Sequence, residues 1–329
     1  MKALVTGGGG FLGRAITEML LGRGDQVRIF SRKRYPLIEA LGAEGAQGDI
    51  RNLDDVVKAC MGMDAVFHTA ALPGIWGDIQ LYTGINVMGT QHVIDGCKRR
   101  GVGRLIYTSS PSVVFNMQDE CGIDESAPFP EKWFNPYSQT KAHAEQTVLR
   151  NSGKDGLLAC ALRPHLIWGP RDNHLIPRLI DRARKKRLRI VGLGQNKVDL
   201  TYVDNAARAH LMACDAMTAR KVAGQAYFVS DDNPVMLWDW INTLFEQLQI
   251  PKVGKRIPAP LAFGFGACLE CLYSLRKKYD EPAMTRFLAR TLSCSHYYNI
   301  SKAKRDFGYR TIVSNGEGVK RTVKYFSSR

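Results

Sequence analysis

The first half of the chain alternates two patterns. Short β-branched runs occupy residues 3–6, 26–31, 65–69, 104–109 and 158–163. Between them, residues 11–22, 53–60, 89–99 and 137–150 carry apolar positions at helical spacing. Strands that alternate with amphipathic helices predict an α/β fold, a doubly wound parallel sheet with helices on both faces. In such sheets ligands sit at the carboxyl ends of the strands. After about Pro164 the rhythm breaks, and loops become longer and richer in Pro and Gly. One later segment, residues 257–275, holds a single charge, Glu270, and is followed by Arg276, Lys277 and Lys278. Pro258, Pro260, Gly264 and Gly266 interrupt it, which argues against a membrane span. The expectation is a core helix or a cover over an apolar pocket, with docking at a membrane interface as the alternative.

Composition narrows the picture only a little. The chain has 329 residues, enough for one large domain or two closely joined ones. Its net charge is +15, densest at Arg182, Arg184, Lys185, Lys186, Arg187 and Arg189. A solvated helix end explains that cluster, as does an anionic membrane surface or an acidic substrate. No nucleic-acid-binding motif accompanies it, so no nucleic-acid partner is expected. The eight cysteines have no repeating spacing, and no secretory signal pattern precedes the first strand. A cytoplasmic protein with free thiols is expected, peripheral at a membrane in the alternative. Cys268 and Cys271 lack a second pair at zinc spacing, so no metal is expected.

The first chemistry-bearing motif follows the first strand. Thr6-Gly7-Gly8-Gly9-Gly10-Phe11-Leu12-Gly13 opens the first helix, with Gly7, Gly10 and Gly13 at GxxGxxG spacing. Glycine serves where the turn takes positive φ, where backbone nears a phosphate, and where helix meets strand. The helix N-terminus offers free N–H groups to a pyrophosphate. A Rossmann-type nicotinamide dinucleotide domain over residues 1–165 is therefore expected, with residues 198–216 returning to it. Residues 166–329 are read as mainly a substrate-binding portion. The second strand ends in Ser31, Arg32 and Lys33, where an NAD-preferring site has an acidic residue. A guanidinium pairs with a 2′-phosphate, so NADP(H) is preferred over NAD(H), ordinary solvated cations being the plainer reading. Asp49 and Ile50 follow the third strand, with Asp49 placed to accept from the adenine amino group. Ala70, after the fourth strand, and Pro164, after the sixth, border the cofactor.

Tyr137-Ser138-Gln139-Thr140-Lys141 is the decisive motif. On a helix, positions i and i+4 share a face, so Lys141 is expected near the Tyr137 hydroxyl. An ammonium there lowers a phenol pKa that is otherwise about 10, and Lys141 is also placed to hold nicotinamide ribose. Ser110, after the fifth strand, is the candidate for polarising the substrate oxygen, with Ser109 in reserve. Two readings compete with an alcohol–ketone oxidoreductase: a dinucleotide-binding redox sensor and a sugar-nucleotide epimerase or dehydratase.

These motifs, with Val66-Phe67-His68-Thr69-Ala70-Ala71, Asn86-Val87-Met88-Gly89-Thr90 and Thr201-Tyr202-Val203-Asp204-Asn205, resemble the extended short-chain dehydrogenase/reductases nearly end to end. Arg163-Pro164-His165-Leu166-Ile167-Trp168-Gly169-Pro170-Arg171-Asp172 and Ser295-His296-Tyr297-Tyr298 resemble the 3β-hydroxysteroid dehydrogenase-like branch. Within it the chain is similar to bacterial 2-alkyl-3-oxoalkanoate reductases of olefin biosynthesis and to sterol-4α-carboxylate 3-dehydrogenases. The resemblance implies a substrate with a hydroxyl or ketone β to a carboxylate on a large apolar body. Ser31-Arg32 and the segments 71–77 and 107–114 favour the NADPH-dependent reductase. The resemblance also implies a homodimer through residues 89–99 and 137–150, and contacts of residues 257–275 with partner enzymes of a lipid pathway. His165 and Arg171, just past the sixth strand, are the candidates for contacting the carboxylate.

Overall fold

The computed structural model describes residues 1–328. Seven parallel strands form the central sheet. From one edge to the other they are Ala226–Val229, Leu158–Pro164, Arg104–Thr108, Ala65–His68, Lys2–Thr6, Gln26–Ser31 and Glu44–Gln47. Ala3, Leu4 and Val5 are all fully buried, since helices cover both faces of the sheet. The helix Phe11–Gly22 buries Leu12, Ala15, Ile16 and Leu20, one stripe at helical spacing. It packs against the helix Val203–Ala216, which joins the nucleotide half from the far part of the chain.

Strand order reverses between Lys2–Thr6 and Ala65–His68, where Thr6 and His68 are register partners. Their carboxyl ends diverge into separate turns and leave a crevice, the usual ligand position in such sheets. The seventh strand, Ala226–Val229, comes from beyond residue 165 and pairs with Leu158–Pro164. In the other direction, Glu120–Ile123 leaves the first half to join a small sheet with His296–Tyr298, Lys197–Val198 and Val235–Met236. The chain thus crosses the expected division at residue 165 twice, because a strand pairs wherever an edge is open.

The apolar segment at 257–275 forms the helix Ala259–Leu275, and it is not a core helix. It buries only Ala262, Gly266 and Glu270, a narrow stripe at four-residue spacing. A Cβ on Gly266 would lie 2.6 Å from the Thr285 carbonyl carbon, so the glycine permits close contact. Glu270 accepts hydrogen bonds of 2.6 Å from both the Arg286 backbone N–H and its guanidinium. The helix therefore backs the short helix Arg286–Thr291, while Leu261, Phe265 and Leu275 stay exposed. Among the described residues, no helix is long and apolar enough to cross a membrane.

Candidate active site

The glycine turn is shaped by steric necessity. Gly7 has φ +69°, and a Cβ there would sit 3.0 Å from Ala70 Cα. A Cβ on Gly13 would lie 2.3 Å from the Gly7 carbonyl oxygen, so helix and turn close only around glycine. The Gly7 N–H donates to the Phe30 carbonyl at 2.8 Å, and the Gly10 N–H donates to that of Gly7 at 2.8 Å. Gly10 precedes the first helix without any side-chain cap, which leaves first-turn N–H groups available to a phosphate. These features fit a dinucleotide.

A cleft of about 360 Å³ opens beside this turn. Gly7, Gly10, Ser31, Arg32, Asp49, Ile50 and Ala70 all line it. Phe11, Leu12, Gly13, Lys141 and Pro164 are not among its lining residues; Leu12 is packed in the core, Gly13 closes on the Gly7 carbonyl and Pro164 is buried where it pairs with Val229. The Ser31 hydroxyl donates to the Lys33 carbonyl at 2.7 Å, and Arg32 stands exposed at the rim. Asp49, the expected adenine acceptor, is gripped by Arg51 through contacts of 2.6–3.1 Å. That guanidinium is the main reason its carboxyl lies at about 2. Arg51 was not a sequence candidate, since nothing in its spacing marks it.

The Tyr137 helix, Pro136–Asn151, is pinned at three points. The Asn135 side chain accepts from the Ser138 N–H at 2.7 Å and caps its start. Asn86 donates to the Thr140 hydroxyl at 3.1 Å. Farther along, Glu145 receives Arg163 of the sixth strand through fully buried contacts of 2.5 and 3.0 Å. Asn86 itself sits in a wide π-type turn, Thr83–Met88, and accepts from the Leu72 N–H at 2.7 Å.

A directed hydrogen-bond chain reaches this helix from the glycine turn. The Thr90 hydroxyl donates to the Asn86 carbonyl at 2.6 Å, so it accepts from His68 Nε2 at 3.0 Å. His68 Nδ1 then accepts from the Thr6 hydroxyl at 2.7 Å. Burial pushes His68 down to about 3, which keeps it neutral and the direction of the chain constant. In sequence, His68 and Asn86 stood out only as parts of a resemblance, because a lone His or Asn carries no spacing signal.

Lys141 is buried and donates to the Thr108 carbonyl, with its ammonium 4.1 Å from the centre of the Tyr107 ring. Burial pushes it down to about 7, against the opposing pull of Glu145. Lys141 is not among the groups that shift the Tyr137 phenol in this structure. Burial raises the phenol, and the group that pulls it back is Ser110. The Ser110 and Ser112 hydroxyls lie 2.9 Å apart, and Ser110 also accepts from the Ser112 N–H at 3.2 Å. Ser109, the reserve candidate, is buried with its hydroxyl unpartnered and its N–H donated to the Leu162 carbonyl.

Tyr137 and Ser110 line a second pocket of about 150 Å³ with His165, His296 and Phe287. Its other walls are mostly apolar, including Ile75, Phe115 and Leu166. Arg171 is elsewhere. Its guanidinium binds Glu18 of the first helix through contacts of 2.7 and 2.9 Å, which corrects the expectation of a carboxylate contact. Phe287 and Thr291 escaped sequence reasoning, and His296 stood out only as part of a resemblance, because they arrive from more than 120 residues downstream of Tyr137.

A model of the 3-beta hydroxysteroid dehydrogenase/isomerase family matches residues 4–260. The chain belongs to that family. Among similar members, a 2-alkyl-3-oxoalkanoate reductase of Stenotrophomonas maltophilia is 46% identical over 98% of each chain. One of the same name from Shewanella oneidensis is 46% identical over 97% of this chain and 84% of its own. A sterol-4-alpha-carboxylate 3-dehydrogenase (decarboxylating) of Mus musculus is 34% identical over 99% of this chain and 91% of its own. Among solved structures, UDP-glucuronic acid 4-epimerase of Bacillus cereus with NAD superposes with a TM-score of 0.75 at 23% identity, covering 100% and 99% of the two chains. That likeness shows the fold. This 3-beta hydroxysteroid dehydrogenase/isomerase family member is an extended short-chain dehydrogenase/reductase, an oxidoreductase that uses a nicotinamide dinucleotide to interconvert alcohol and ketone.

Proposed function

We propose that this enzyme reduces a 3-keto (β-keto) carboxylic acid with a large apolar body to the 3-hydroxy acid, using NADPH. The reaction is of the 2-alkyl-3-oxoalkanoate reductase kind. The observation that carries the reading is the Tyr137–Ser110 pair on an otherwise largely apolar pocket. When bound, the nicotinamide supplies the hydride. Burial keeps the Tyr137 phenol protonated at neutral pH, and a protonated phenol is what a ketone oxygen requires as it gains negative charge. Ser110 donates a hydrogen bond to the same oxygen, and its contact with Ser112 orients it before substrate arrives. Lys141, one helical turn past Tyr137, changes charge near neutrality, and we assign it the nicotinamide ribose hydroxyls.

NADPH in place of NADH is supported by the cleft rim, where Ser31, Arg32 and Lys33 stand and the second strand ends without a carboxylate. A 2′-phosphate pairs with Arg32 and is repelled by no acidic neighbour on that strand. The pocket is small against the roughly 300–1,000 Å³ of a drug-sized ligand site. It suits the reacting head of a flexible chain whose tail leaves through the mouth better than a rigid sterol nucleus.

The test is a two-substrate assay of the purified enzyme. A long-chain 2-alkyl-3-keto acid is offered with NADPH, and a 4-carboxysterol with NAD+ or NADP+. Turnover of the keto acid is expected. Turnover of the sterol alone assigns the enzyme to the other branch of its family.

A further inference from the structure

A carboxylate entering the pocket meets no lysine or arginine. Among the described residues, its polar lining consists of Ser110, Ser112, Tyr137, Thr291, Tyr298 and the two histidines His165 and His296. Lys141 is held by the Thr108 carbonyl and the Tyr107 ring, and Arg171 by Glu18. An anion without a partner in so apolar a site is costly, so the pocket must gain a positive charge or reject acids.

The two histidines touch. His165 Nε2 and His296 Nδ1 are 2.6 Å apart, and His296 Nε2 is 2.8 Å from the Thr291 carbonyl. A carbonyl only accepts, so His296 carries its hydrogen on Nε2. When both rings are neutral, His296 Nδ1 is bare and takes the Nε2 hydrogen of His165. One backbone carbonyl therefore sets both tautomers and leaves His165 Nδ1 as an acceptor. An acceptor repels a carboxylate until it binds a proton; then it becomes a charged donor.

We propose that the His165–His296 pair is the carboxylate anchor of the substrate pocket and that an acid binds together with one proton taken up by the pair. The proposal rests on the reading of the substrate as a carboxylic acid. Burial holds both rings below the ordinary histidine range, and His296 further opposes a charge on His165, so the pair is neutral before an acid arrives. The titratable groups packed around the pair are tied into hydrogen bonds of their own. Tyr298 stands edge-on to His165 at 5.2 Å and donates to Glu120 at 3.0 Å. Asp199 accepts from the Tyr298 N–H at 2.8 Å, and its own N–H donates to the His296 carbonyl at 3.1 Å. Asp119, whose carboxylate accepts from the Ser295 N–H, lies on the His296 side and favours a cation there. The Tyr137 phenol completes the titratable surroundings. Once charged, the pair donates from His165 to the carboxylate, and His296 remains anchored on Thr291. Acid substrates then bind more weakly as pH rises, about tenfold in KM per unit, and the methyl esters do not follow that slope.

Calorimetry on the full-length enzyme saturated with NADPH, which cannot react with a hydroxy acid, measures this directly. A long-chain 2-alkyl-3-hydroxy acid is titrated at pH 7.5 in buffers of low and high ionisation enthalpy, and its methyl ester serves as control. Uptake of about one proton is expected with the acid and none with the ester. His165→Gln keeps a hydrogen-bonding side chain without a cationic form; it should raise KM for the acid at least about tenfold more than KM for the ester, and abolish the acid's proton uptake. His296→Gln should shift KM in the same direction by less. An acid that turns over but binds without proton uptake overturns the anchor alone. An acid that neither binds nor turns over overturns the proposed substrate class, and the anchor with it.

Discussion

The cofactor cleft takes its lining mainly from the turns that leave four neighbouring parallel strands, at Gly7–Gly10, Ser31–Tyr35, Gly48–Arg51 and Thr69–Leu72. The substrate pocket collects side chains from segments spread between Ile75 and Tyr298. In the first region backbone does the binding, and strand register places each turn. In the second, side chains do the chemistry, and long-range packing must bring them together. The difference teaches where each half is vulnerable. The cleft fails when its backbone is forced aside, whereas the pocket fails when one side chain loses its proton, its hydroxyl or its charge.

The largest expected effect isolates the pocket. Tyr137→Phe removes the proton donor and should lower kcat by about three orders of magnitude. Its NADPH affinity, read by fluorescence titration, should stay within about twofold. A parallel loss of both would mean that the two regions are not separable.

Gly13→Val attacks the cleft in the same spirit. Its side chain would overlap the Gly7 carbonyl oxygen, already 2.3 Å from a bare Cβ. NADPH binding should weaken by about two orders of magnitude, and thermal stability should fall as well, because the overlapped atoms are backbone. Unchanged affinity would remove the glycine turn from the cofactor site.

The region behind the pocket is probed by pH. Burial pushes Glu120 up to about 7, against the opposing pull of the Tyr298 hydroxyl. Its folded-state proton is held more tightly than in the unfolded chain. The associated stability is therefore fully present below about pH 4.5 and lost as pH rises through about 7. Glu120→Gln should gain on the parent over that window, by up to about 3 kcal/mol, and run parallel above it. Urea unfolding at pH 5, 6, 7 and 8 checks this. A constant difference across the series would show that Glu120 is ionised throughout.

The smallest effect concerns a bridge between the halves. Arg171 and Glu18 are partly exposed, so Arg171→Ala should cost about 1 kcal/mol or less. The ratio of acid to methyl-ester turnover should not move. A selective loss with the acid would return Arg171 to the carboxylate.

The same contrast explains what the sequence made legible. The nucleotide half is written locally. The helix predicted at residues 11–22 is Phe11–Gly22, and the strand predicted at 26–31 is Gln26–Ser31. Glycine spacing and the Tyr137–Lys141 interval reflect neighbours in the chain, and periodicity finds such neighbours. The hydrogen-bond chain Thr6–His68–Thr90–Asn86, the seventh strand and the His165–His296 contact join residues far apart in the chain. No periodicity encodes them. For the segment at 257–275 only the core-helix reading fails, for a related reason: its apolar composition suggested burial, but only a narrow stripe of its helix meets the rest of the molecule. Lys141 shows the limit of helical spacing, which places two residues on one face without deciding which partner the longer side chain takes.

The most direct measurement of the central claim is kcat/KM for NADPH and for NADH with one long-chain 2-alkyl-3-keto acid, in the parent and in Arg32→Ala. At least about a tenfold preference for NADPH is expected in the parent, reduced in the variant by loss of NADPH efficiency alone. A higher kcat/KM with NADH, or no turnover of the keto acid with either cofactor, would contradict it.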